Sequence, residues 1–483
     1  MSDSRNTLQA LFTEGNRFPN FGEVLTNLNV RGFRCHSNTI IDIQSPVTAL
    51  CGLNGTGKST ILQSAAVAYA PNDGLPYYIK DFLVVSALDP SPFAEDASLR
   101  FGYWQASQSS RFLTLSRRAA TKRWQGYRGR PTRSVFFAGV GLYLPRVEQR
   151  RDFIVTNARR LRISGSTPVG DRAKSWICRV LEQGYGEIIS HTVEVSTRSS
   201  QVTAVDRAGT RYSEAHMGFG EGRTQHLINR LESLPERSLV LIEEPETSLH
   251  PAAQAELGRY LVDVCIVKRH QVLLTTHSEF LLHALPSASR VYLHRTPSGI
   301  EPICGLTALQ AKSLMTGGET KSIHVLVEDR CAQIVLTEIL RRIDPTLLAA
   351  IGIHSVGDAE TIAKTVRALR STGLPVAAVR DGDQPAIPSE NIFKLPGGSP
   401  PEMELFSSNA VAGHLRTRYS LDVAGFRATL NGSDHHEWPR RLAARLTKNE
   451  DALLNELAEV YARSLPEAEC STLFTLLKEA SRR

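Results

Sequence analysis

The sequence predicts an α/β protein, and three patterns favour this class. An apolar strand at 47–50 runs into a glycine-rich turn that a helix at 60–70 follows. Two more apolar strands, 238–242 and 272–274, end in polar runs. Apolar strands and helical segments then alternate from 324 to 405. Buried strands that alternate with helices are typical of parallel sheets, which form ligand sites at the carboxyl ends of their strands.

Length and composition bound the class further. A chain of 483 residues predicts two to four domains. No apolar run reaches membrane-spanning length and the first residues lack a signal-peptide pattern, so we expect a cytoplasmic protein without a membrane partner. The seven cysteines are scattered, odd in number and without a C-x-x-C pair, which favours free thiols.

The positive charge is concentrated in one segment. Residues 111–162 carry 14 Lys/Arg and 2 Asp/Glu, a local charge of +12, whereas the whole chain carries only +7. A basic patch attracts phosphate backbones by releasing condensed counterions, which makes DNA a reasonable partner. An arginine-rich face that merely keeps the segment in solution explains the composition equally well.

The glycine-rich turn fits the phosphate-binding pattern G-x-x-x-x-G-K-[ST] from Gly52 to Ser59. Its backbone N–H groups and the following helix N-terminus can hold phosphates, while Lys58 reaches the β- and γ-phosphates and Ser59 binds Mg²⁺. ATP and Mg²⁺ are therefore the predicted cofactors. The predicted nucleotide-binding residues of this loop are Asn54, Gly55, Thr56, Gly57, Lys58, Ser59 and Thr60.

Acidic residues follow the strand at 238–242. Glu243 is predicted to hold the Mg²⁺ shell, and Glu244 to activate the attacking water. His277 follows the strand at 272–274, where it could contact the γ-phosphate. A lone histidine is more often structural, but the order and spacing of these residues match a known plan.

That plan is carried by LIEEPETSLHP at 241–251 and LTTHS at 274–278, which resemble the ABC ATPase heads of the chromosome-maintenance (SMC), RecF and OLD (overcoming lysogenization defect) group. The resemblance implies a Walker B acid and catalytic glutamate in Glu243 and Glu244, and a switch histidine in His277. It also implies a D-loop at 248–251. The signature segment at 217–221 departs from the family pattern, because Gly218 replaces a serine and Phe219 a glycine.

The resemblance further assigns nucleotide contacts to Gly220 and Glu221 of the signature segment. The signature of one head completes the ATP site of another, which implies a homodimer or higher homo-oligomer. The predicted head spans 1–310, with residues 72–200 as a large basic insertion or arm.

A second acidic centre is predicted in the later strand–helix alternation. Glu328 follows the strand at 323–327, and Asp381 and Asp383 follow the strand at 374–379. Carboxyl ends of parallel strands meet at one edge of a sheet, so these acids are expected to lie together. Three carboxylates suit one or two Mg²⁺ ions, which can stabilise the attacking and leaving oxygens of a phosphodiester.

The order of glutamate, glycine turn and D-x-D resembles the Toprim domain of topoisomerases, primases and OLD nucleases over 318–405. Asp329 stands where that family has glycine. Lys394 on the next strand offers a phosphate contact, and Glu402 and Glu404 follow it. OLD nucleases also use a lysine and extra acids in this region, without a residue-by-residue match here, and Mn²⁺ is an alternative ion. Residues 406–483 are predicted to be a helical tail. The run 434–437 could indicate another metal or proton transfer, but a helix start is favoured, with Asp434 as cap and Glu437 three residues on in a capping box.

Two interpretations remain open. The first is an OLD-like, Mg²⁺-dependent DNA endonuclease gated by ATP; its role in anti-phage defence comes from the resemblance alone. The second is a DNA-sensing ATPase, akin to the SMC and RecF heads, whose degenerate Toprim domain gates a separate effector protein. A transporter subunit is disfavoured because the Toprim-like extension has no place there.

Overall fold

The computed structural model describes residues 3–72, 75–118, 121, 123–149, 153–316, 321–371, 374–430 and 432–480. The chain divides into two compact units, Met1–Ala311 and Lys312–Arg483, here called the N-terminal unit and the C-terminal unit. This division lies close to the predicted start of the Toprim-like segment at 318.

The strands of the N-terminal unit are β1 (Val24–Phe33), β2 (His36–Asp42), β3 (Val47–Cys51), β4 (Phe93–Trp104), β5 (Ser110–Arg118), β6 (Arg123–Gln125), β7 (Val135–Ala138), β8 (Arg162–Pro168), β9 (Glu187–Val195), β10 (Arg198–Arg207), β11 (Thr210–Ser213), β12 (Leu239–Glu243), β13 (Gln271–Thr275), β14 (Arg290–Thr296) and β15 (Gly299–Cys304). The helices up to the division are α1 (Ser4–Leu11), α2 (Glu14–Phe21), α3 (Lys58–Ala66), α4 (Ile79–Phe82), α5 (Phe153–Asn157), α6 (Asp171–Leu181), α7 (Phe219–Ser233), α8 (Pro251–Lys268), α9 (Glu279–Ala284) and α10 (Ala308–Met315).

The central sheet of the N-terminal unit has six strands in the order β15-β14-β3-β13-β12-β7. Its five strands from β14 to β7 run parallel, and only β15 is antiparallel. Strands β3, β12 and β13 are buried almost throughout, which explains their near-continuous apolar sequences. The predicted strands at 47–50, 238–242 and 272–274 are therefore confirmed as neighbours in one parallel sheet.

An antiparallel sheet covers one side of this unit in the order β2-β1-β4-β5-β6. Strands β1 and β2 form an antiparallel hairpin, with Leu28 opposite Ile41. Apolar side chains of this sheet, of α3 and of the central sheet form one buried cluster, in which Leu28, Ile61 and Leu241 are each 0% exposed. The cluster fixes α3, and with it the glycine-rich turn, between the two sheets.

The structure corrects the predicted arm at 72–200. Strand β4 pairs with β1, and β7 extends the central sheet beside β12, so much of this segment belongs to the sheets of the unit. A separate four-stranded antiparallel sheet forms only later, in the order β11-β10-β9-β8. Sequence reasoning missed β7 because a strand of four residues, three half-buried and one buried, has no clear periodicity.

The described residues of the C-terminal unit form four strands, β16 (Ile323–Val327), β17 (Ile351–Ser355), β18 (Val376–Arg380) and β19 (Ile392–Lys394). Its helices are α11 (Arg330–Ile343), α12 (Pro345–Ala350), α13 (Ala359–Ser371), α14 (Pro401–Ser407), α15 (Asn409–Tyr419), α16 (Val423–Ala428), α17 (Trp438–Leu446), α18 (Glu450–Ser464) and α19 (Glu467–Ala480).

The four strands form a parallel sheet in the order β17-β16-β18-β19, as the later alternation predicts. Helix α13 packs on one face, where Ile362 and Val366 are buried against the sheet. Helix α11 and the helices after α14 share one core with the other face, running from Ile323 to Ala480. The predicted helical tail is thus part of the same core as the sheet.

Two further expectations concern thiols and membranes. All seven cysteines fall in the described residues and are free, and four of them are buried. Among the helices that the structure describes, none combines the length and apolarity needed to cross a bilayer.

Candidate functional site

The glycine-rich turn joins β3 to α3 and has the backbone that its glycines allow. Gly55 and Gly57 have φ angles of 75° and 79°, in the left-handed region that side chains disfavour. A Cβ atom on Gly57 would lie 2.1 Å from His36 Nε2, so the position also has no space for a side chain. Ser59 and Asn54 are exposed at the turn, whereas Thr60 is buried in α3.

Lys58 is the first residue of α3 and its side chain curls over the turn. Its ammonium group donates to the carbonyl oxygens of Gly52 at 2.9 Å and Leu53 at 3.0 Å. Burial lowers the pKa of Lys58, and the nearby Glu244 carboxylate opposes that shift. The lysine therefore lies inside the turn with its charge directed toward the space that the loop encloses.

His36 and Arg295 support the turn, and the motif gave no sign of either. His36 is fully buried, and its ring lies 3.1 Å from the Gly57 carbonyl oxygen and 3.0 Å from Thr39 Oγ1. Arg295 donates to the Gly55 carbonyl oxygen at 2.5 Å. Both residues come from strands that tertiary pairing brings to the loop, so no local pattern could have identified them.

The strand register brings the acids and the turn to one edge of the central sheet. Glu243 pairs with Thr275, and Thr275 pairs with Leu50, two residues before the turn. Glu243 Oε1 is buried and has no hydrogen-bond partner among the described residues. A buried carboxylate oxygen left without a donor fits the predicted cation ligand, because a cation would supply the missing interaction.

Arg223 of α7 reaches the same strand end and was missed by the sequence analysis. Its guanidinium donates to the Glu243 carbonyl oxygen at 2.6 Å, and the residue is only 2% exposed. Burial lowers the pKa of Arg223, while Glu246, Glu244 and Glu243 counteract the shift. Helix α7, whose first residues belong to the predicted signature segment, is therefore tied directly to the strand that carries the acids.

Glu244 and His277 lie on the exposed side of this sheet edge. Glu244 has a φ angle of 43°, and its side chain is 43% exposed, with Oε1 3.7 Å from His277 Nε2. Burial lowers the pKa of His277, and Lys58 lowers it further. An exposed carboxylate next to a neutral imidazole is compatible with the predicted roles of a base and a γ-phosphate sensor.

The two residues of the predicted signature segment, Gly220 and Glu221, both make contacts within their own unit. A Cβ atom on Gly220 would lie 2.4 Å from the Ser248 carbonyl oxygen, so this glycine allows close packing against the predicted D-loop. Glu221 accepts hydrogen bonds from the hydroxyls of Tyr185 and Tyr212, both at 2.7 Å. Glu221 therefore has partners within its own unit, and its predicted nucleotide contact stays a prediction.

The basic segment is only partly a free surface. Arg130 and Arg133 are 9% and 6% exposed and donate to backbone carbonyls, and Arg146 pairs with Glu214. Residues 119, 120, 122 and 150–152 of the segment lie outside the described residues. The described arginines that face solvent are Arg118, Arg123, Arg128, Arg159, Arg160 and Arg162.

The second acidic centre forms at the carboxyl edge of the C-terminal sheet. The Asp381 N–H donates to Glu328 Oε1 at 3.1 Å, although the residues are 53 positions apart. Burial, followed by the charges of Glu328 and Asp329, raises the pKa of Asp381 to about 8. Burial and Asp383 also raise the pKa of Glu328. Such crowded carboxylates favour a proton or a cation between them.

Lys394 and Glu404 shape this edge. Lys394 Nζ donates to the Gly382 carbonyl oxygen at 2.8 Å, so it braces the D-x-D turn from the next strand. Glu404 Oε1 accepts from the N–H groups of Gly398 and Ser399, both at 3.0 Å. Lys394 is therefore held by a backbone carbonyl, and its phosphate contact stays a prediction, while Glu404 anchors a turn.

Glu402 and His436 lie near this acidic edge, although the sequence analysis assigned neither of them to the predicted metal site. Glu402 is 2% exposed, and burial and then Asp329 raise its pKa to about 7. His436 Nδ1 lies 3.3 Å from Asp329 Oδ2 and 3.4 Å from Glu402 Oε1. The predicted cap by Asp434 is confirmed, but Glu437 pairs with Arg441 rather than closing a capping box. Besides preceding α17, the histidine run places His436 next to two carboxylates.

Two family models match the chain. One, described as "AAA domain, putative AbiEii toxin, Type IV TA system", covers residues 104–283, and another, described as "AAA ATPase domain", covers residues 24–65. The second match ends inside α3, after the glycine-rich turn, and the first includes the acids of β12 and His277. None of the curated proteins matches the sequence.

Solved structures give weaker likenesses. An SMC head domain from Thermotoga maritima has 13% identity and a TM-score of 0.36, covering 58% of this chain and 98% of that chain. An Smc head bound to the C-terminal winged-helix domain of ScpA has 12% identity and a TM-score of 0.39, covering 58% and 96%. An Smc head with an extended coiled coil, bound to the C-terminal domain of ScpA derived from Pyrococcus furiosus, has 10% identity and a TM-score of 0.38, covering 60% and 98%. These scores are too low to carry an argument.

The turn, the strand-end acids and the two AAA matches define the class of the N-terminal unit, a P-loop ATPase on a mixed α/β fold. The predicted ATPase class is thereby confirmed, and ATPases of this class use ATP, usually with Mg²⁺. The matches do not extend into the C-terminal unit.

Proposed function

We propose that the N-terminal unit is an ABC-type ATPase head that hydrolyses ATP in a homodimer or higher homo-oligomer. Lys58 and the N–H groups of the glycine-rich turn bind the phosphates, while Ser59 and Glu243 hold Mg²⁺. The metal supplies positive charge at the phosphates. Glu244 accepts a proton from the attacking water, and His277, which follows the neighbouring strand β13, contacts the γ-phosphate.

We further propose that the C-terminal unit is a Toprim-like, metal-dependent DNA endonuclease whose access is governed by ATP. One observation carries this proposal: Asp381 lies beside Glu328 at the carboxyl edge of a four-stranded parallel sheet. Glu328, Asp381 and Asp383 would hold Mg²⁺ or Mn²⁺, and the buried Asp381 Oδ1, which lacks a hydrogen-bond partner within the described residues, fits a cation. Water adds to the phosphorus, and the leaving oxygen departs with a proton.

DNA is the substrate that the charge pattern favours. The exposed arginines of the segment 111–162 provide contacts to a phosphate backbone, independent of sequence. Lys394, fixed at the D-x-D turn, contributes a further cation at the acidic edge. The role in defence against phage rests on the resemblance to OLD nucleases alone.

The second candidate function is a DNA-sensing ATPase whose Toprim-like unit is inactive and which releases a separate effector. The feature that favours it is Asp329, which stands where Toprim domains have glycine and whose Oδ1 caps α11 by accepting from the Ala332 N–H at 2.8 Å. In that case the acids would serve to position α11 and the neighbouring turns.

Plasmid cleavage separates the two functions. The full chain, the Asp381→Ala variant and the Lys58→Ala variant are incubated with supercoiled DNA, ATP and Mg²⁺ or Mn²⁺. The nuclease proposal expects cleavage by the full chain and loss of cleavage in Asp381→Ala with ATP hydrolysis retained. The matched control Glu404→Gln should cleave normally, because an amide oxygen still accepts from Gly398 and Ser399. Absence of cleavage by the unaltered chain with both metals refutes the nuclease.

A further inference from the structure

Two histidines lie beside the acidic edge of the C-terminal unit. His435 and His436 form a short turn before α17, and their ring centroids are 4.1 Å apart. One ligand-type atom each from His435, His436 and Glu402 lies within 4.8 Å of the others. This group is set apart from Glu328, Asp381 and Asp383 by its chemistry, since imidazole nitrogens are poor ligands for Mg²⁺ and good ligands for transition metals.

Glu402 makes this group more than a surface cluster. It lies on α14 and is 2% exposed, and its Oε2 has no hydrogen-bond partner in the described part of the chain. Burying a carboxylate oxygen without a donor is unfavourable, so such an oxygen calls for a proton or a cation. The exposed face of His436 and the half-buried His435 provide the route by which an ion can reach it.

Two distances from His436 match those expected around a tetrahedral ion. Two atoms that each lie about 2.0–2.1 Å from a zinc ion are about 3.3–3.4 Å apart at the tetrahedral angle. His436 Nδ1 is 3.4 Å from Glu402 Oε1 and 3.3 Å from Asp329 Oδ2. The other oxygen of Asp329 caps α11, which holds Oδ2 toward His436.

We propose that Glu402, His435 and His436, with Asp329 as a fourth ligand, form a binding site for a divalent transition metal such as Zn²⁺. The site is separate in its ligands from the Mg²⁺ site of the proposed nuclease and does not rest on that activity. Without metal, His436 is held by an ion pair to the two carboxylates, which raises its pKa although burial alone would lower it.

Metal binding by the full chain tests this site. The protein is freed of metal with a chelator, and Zn²⁺ binding is measured by titration calorimetry in millimolar Mg²⁺, with Co²⁺ absorption as a report on ligand geometry. One ion per chain and tetrahedral Co²⁺ bands are expected. His436→Ala and Glu402→Gln should bind at least about tenfold more weakly. Glu404→Gln, a change on the same helix, is the matched control and should bind like the unaltered chain.

The outcomes are distinct from those of the nuclease test. Zn²⁺ binding without DNA cleavage supports this site and refutes the nuclease, whereas cleavage in Mg²⁺ without Zn²⁺ binding overturns this site alone. Equal Zn²⁺ affinity in the unaltered chain, His436→Ala and Glu402→Gln would also overturn it. Circular dichroism confirms that each variant is folded, and the exposed His436 gives a variant that leaves the core intact.

Discussion

Glu246 holds the loop that carries the predicted switch histidine. Its Oε1 accepts hydrogen bonds from Thr276 Oγ1 at 2.7 Å and from the His277 N–H at 2.8 Å, and the residue is 8% exposed. Burial raises the pKa of this carboxyl, while the two hydrogen bonds oppose the shift. The third acid of the EEPE run thus positions His277 without touching the predicted phosphates.

Truncating this side chain is expected to lower both stability and activity. Glu246→Ala leaves two buried donors without an acceptor, which costs about 1–3 kcal/mol, and it frees the backbone of His277. Glu246→Gln keeps an acceptor oxygen and should stay close to the unaltered protein. Chemical denaturation and steady-state ATP hydrolysis measure the two effects. Equal behaviour of the alanine and glutamine variants would contradict this role.

At the scale of elements, α7 and β12 are joined by buried polar contacts. His270 Nδ1 accepts from the Ser238 N–H at 3.2 Å, so its Nε2 carries the hydrogen and donates to the Leu231 carbonyl oxygen at 3.1 Å. The ring is 0% exposed, and burial lowers its pKa to about 4. With Arg223, this contact links the predicted signature helix to the strand of the acids.

The depressed pKa of His270 predicts acid sensitivity of the N-terminal unit. The His270 imidazole binds a proton near pH 6.5 in the unfolded chain and only near pH 4 in the folded chain. Its contribution to the free energy of unfolding is therefore fully present above pH 6.5 and is lost as the pH falls toward 4. This group alone should remove about 2 kcal/mol between pH 7.5 and pH 5. The His270→Gln protein should be less stable than the unaltered protein at pH 7.5, and its free energy of unfolding should fall less between pH 7.5 and pH 5.

Urea unfolding at both pH values measures this difference. A Trp438→Phe background restricts tryptophan fluorescence to Trp104, Trp124 and Trp176, all in the N-terminal unit. His283→Gln, a change at an exposed histidine, is the control. If the His270→Gln protein showed the same pH dependence as the control, the buried neutral state of His270 would be refuted.

At the scale of the whole molecule, the proposed ATPase needs two heads, because the signature segment of one head is predicted to complete the ATP site of another. Glu244→Gln should bind ATP but hydrolyse it at least about 100-fold more slowly, since the proposed general base is lost. It should therefore accumulate as a dimer in ATP and Mg²⁺.

Sedimentation velocity at fixed protein concentration tests the assembly. Lys58→Ala should lack the ATP-dependent dimer, because the phosphate-binding lysine is removed. A Glu244→Gln protein whose mass does not change on addition of ATP, although it binds the nucleotide, would contradict the dimeric head.

Local sequence was sufficient for the features that depend on neighbouring residues. The glycine-rich turn needs left-handed backbone at Gly55 and Gly57, and an apolar strand followed by a helix is its ordinary context. Glu243, Glu328 and Asp381 follow short apolar strands, and parallel pairing brings such ends to one edge. The turn and these acids could be predicted from sequence because each is recognised from the few residues that surround it.

Long-range packing decided the rest. His36 beneath the turn, Arg223 behind Glu243 and β7 beside β12 depend on which strands and helices meet. His436 and Glu402 are 34 residues apart, and the hydrophobic core shared by the sheet and the later helices brings them together. Apolar burial is non-directional, so a sequence pattern shows that a face will be buried but not which partner will cover it.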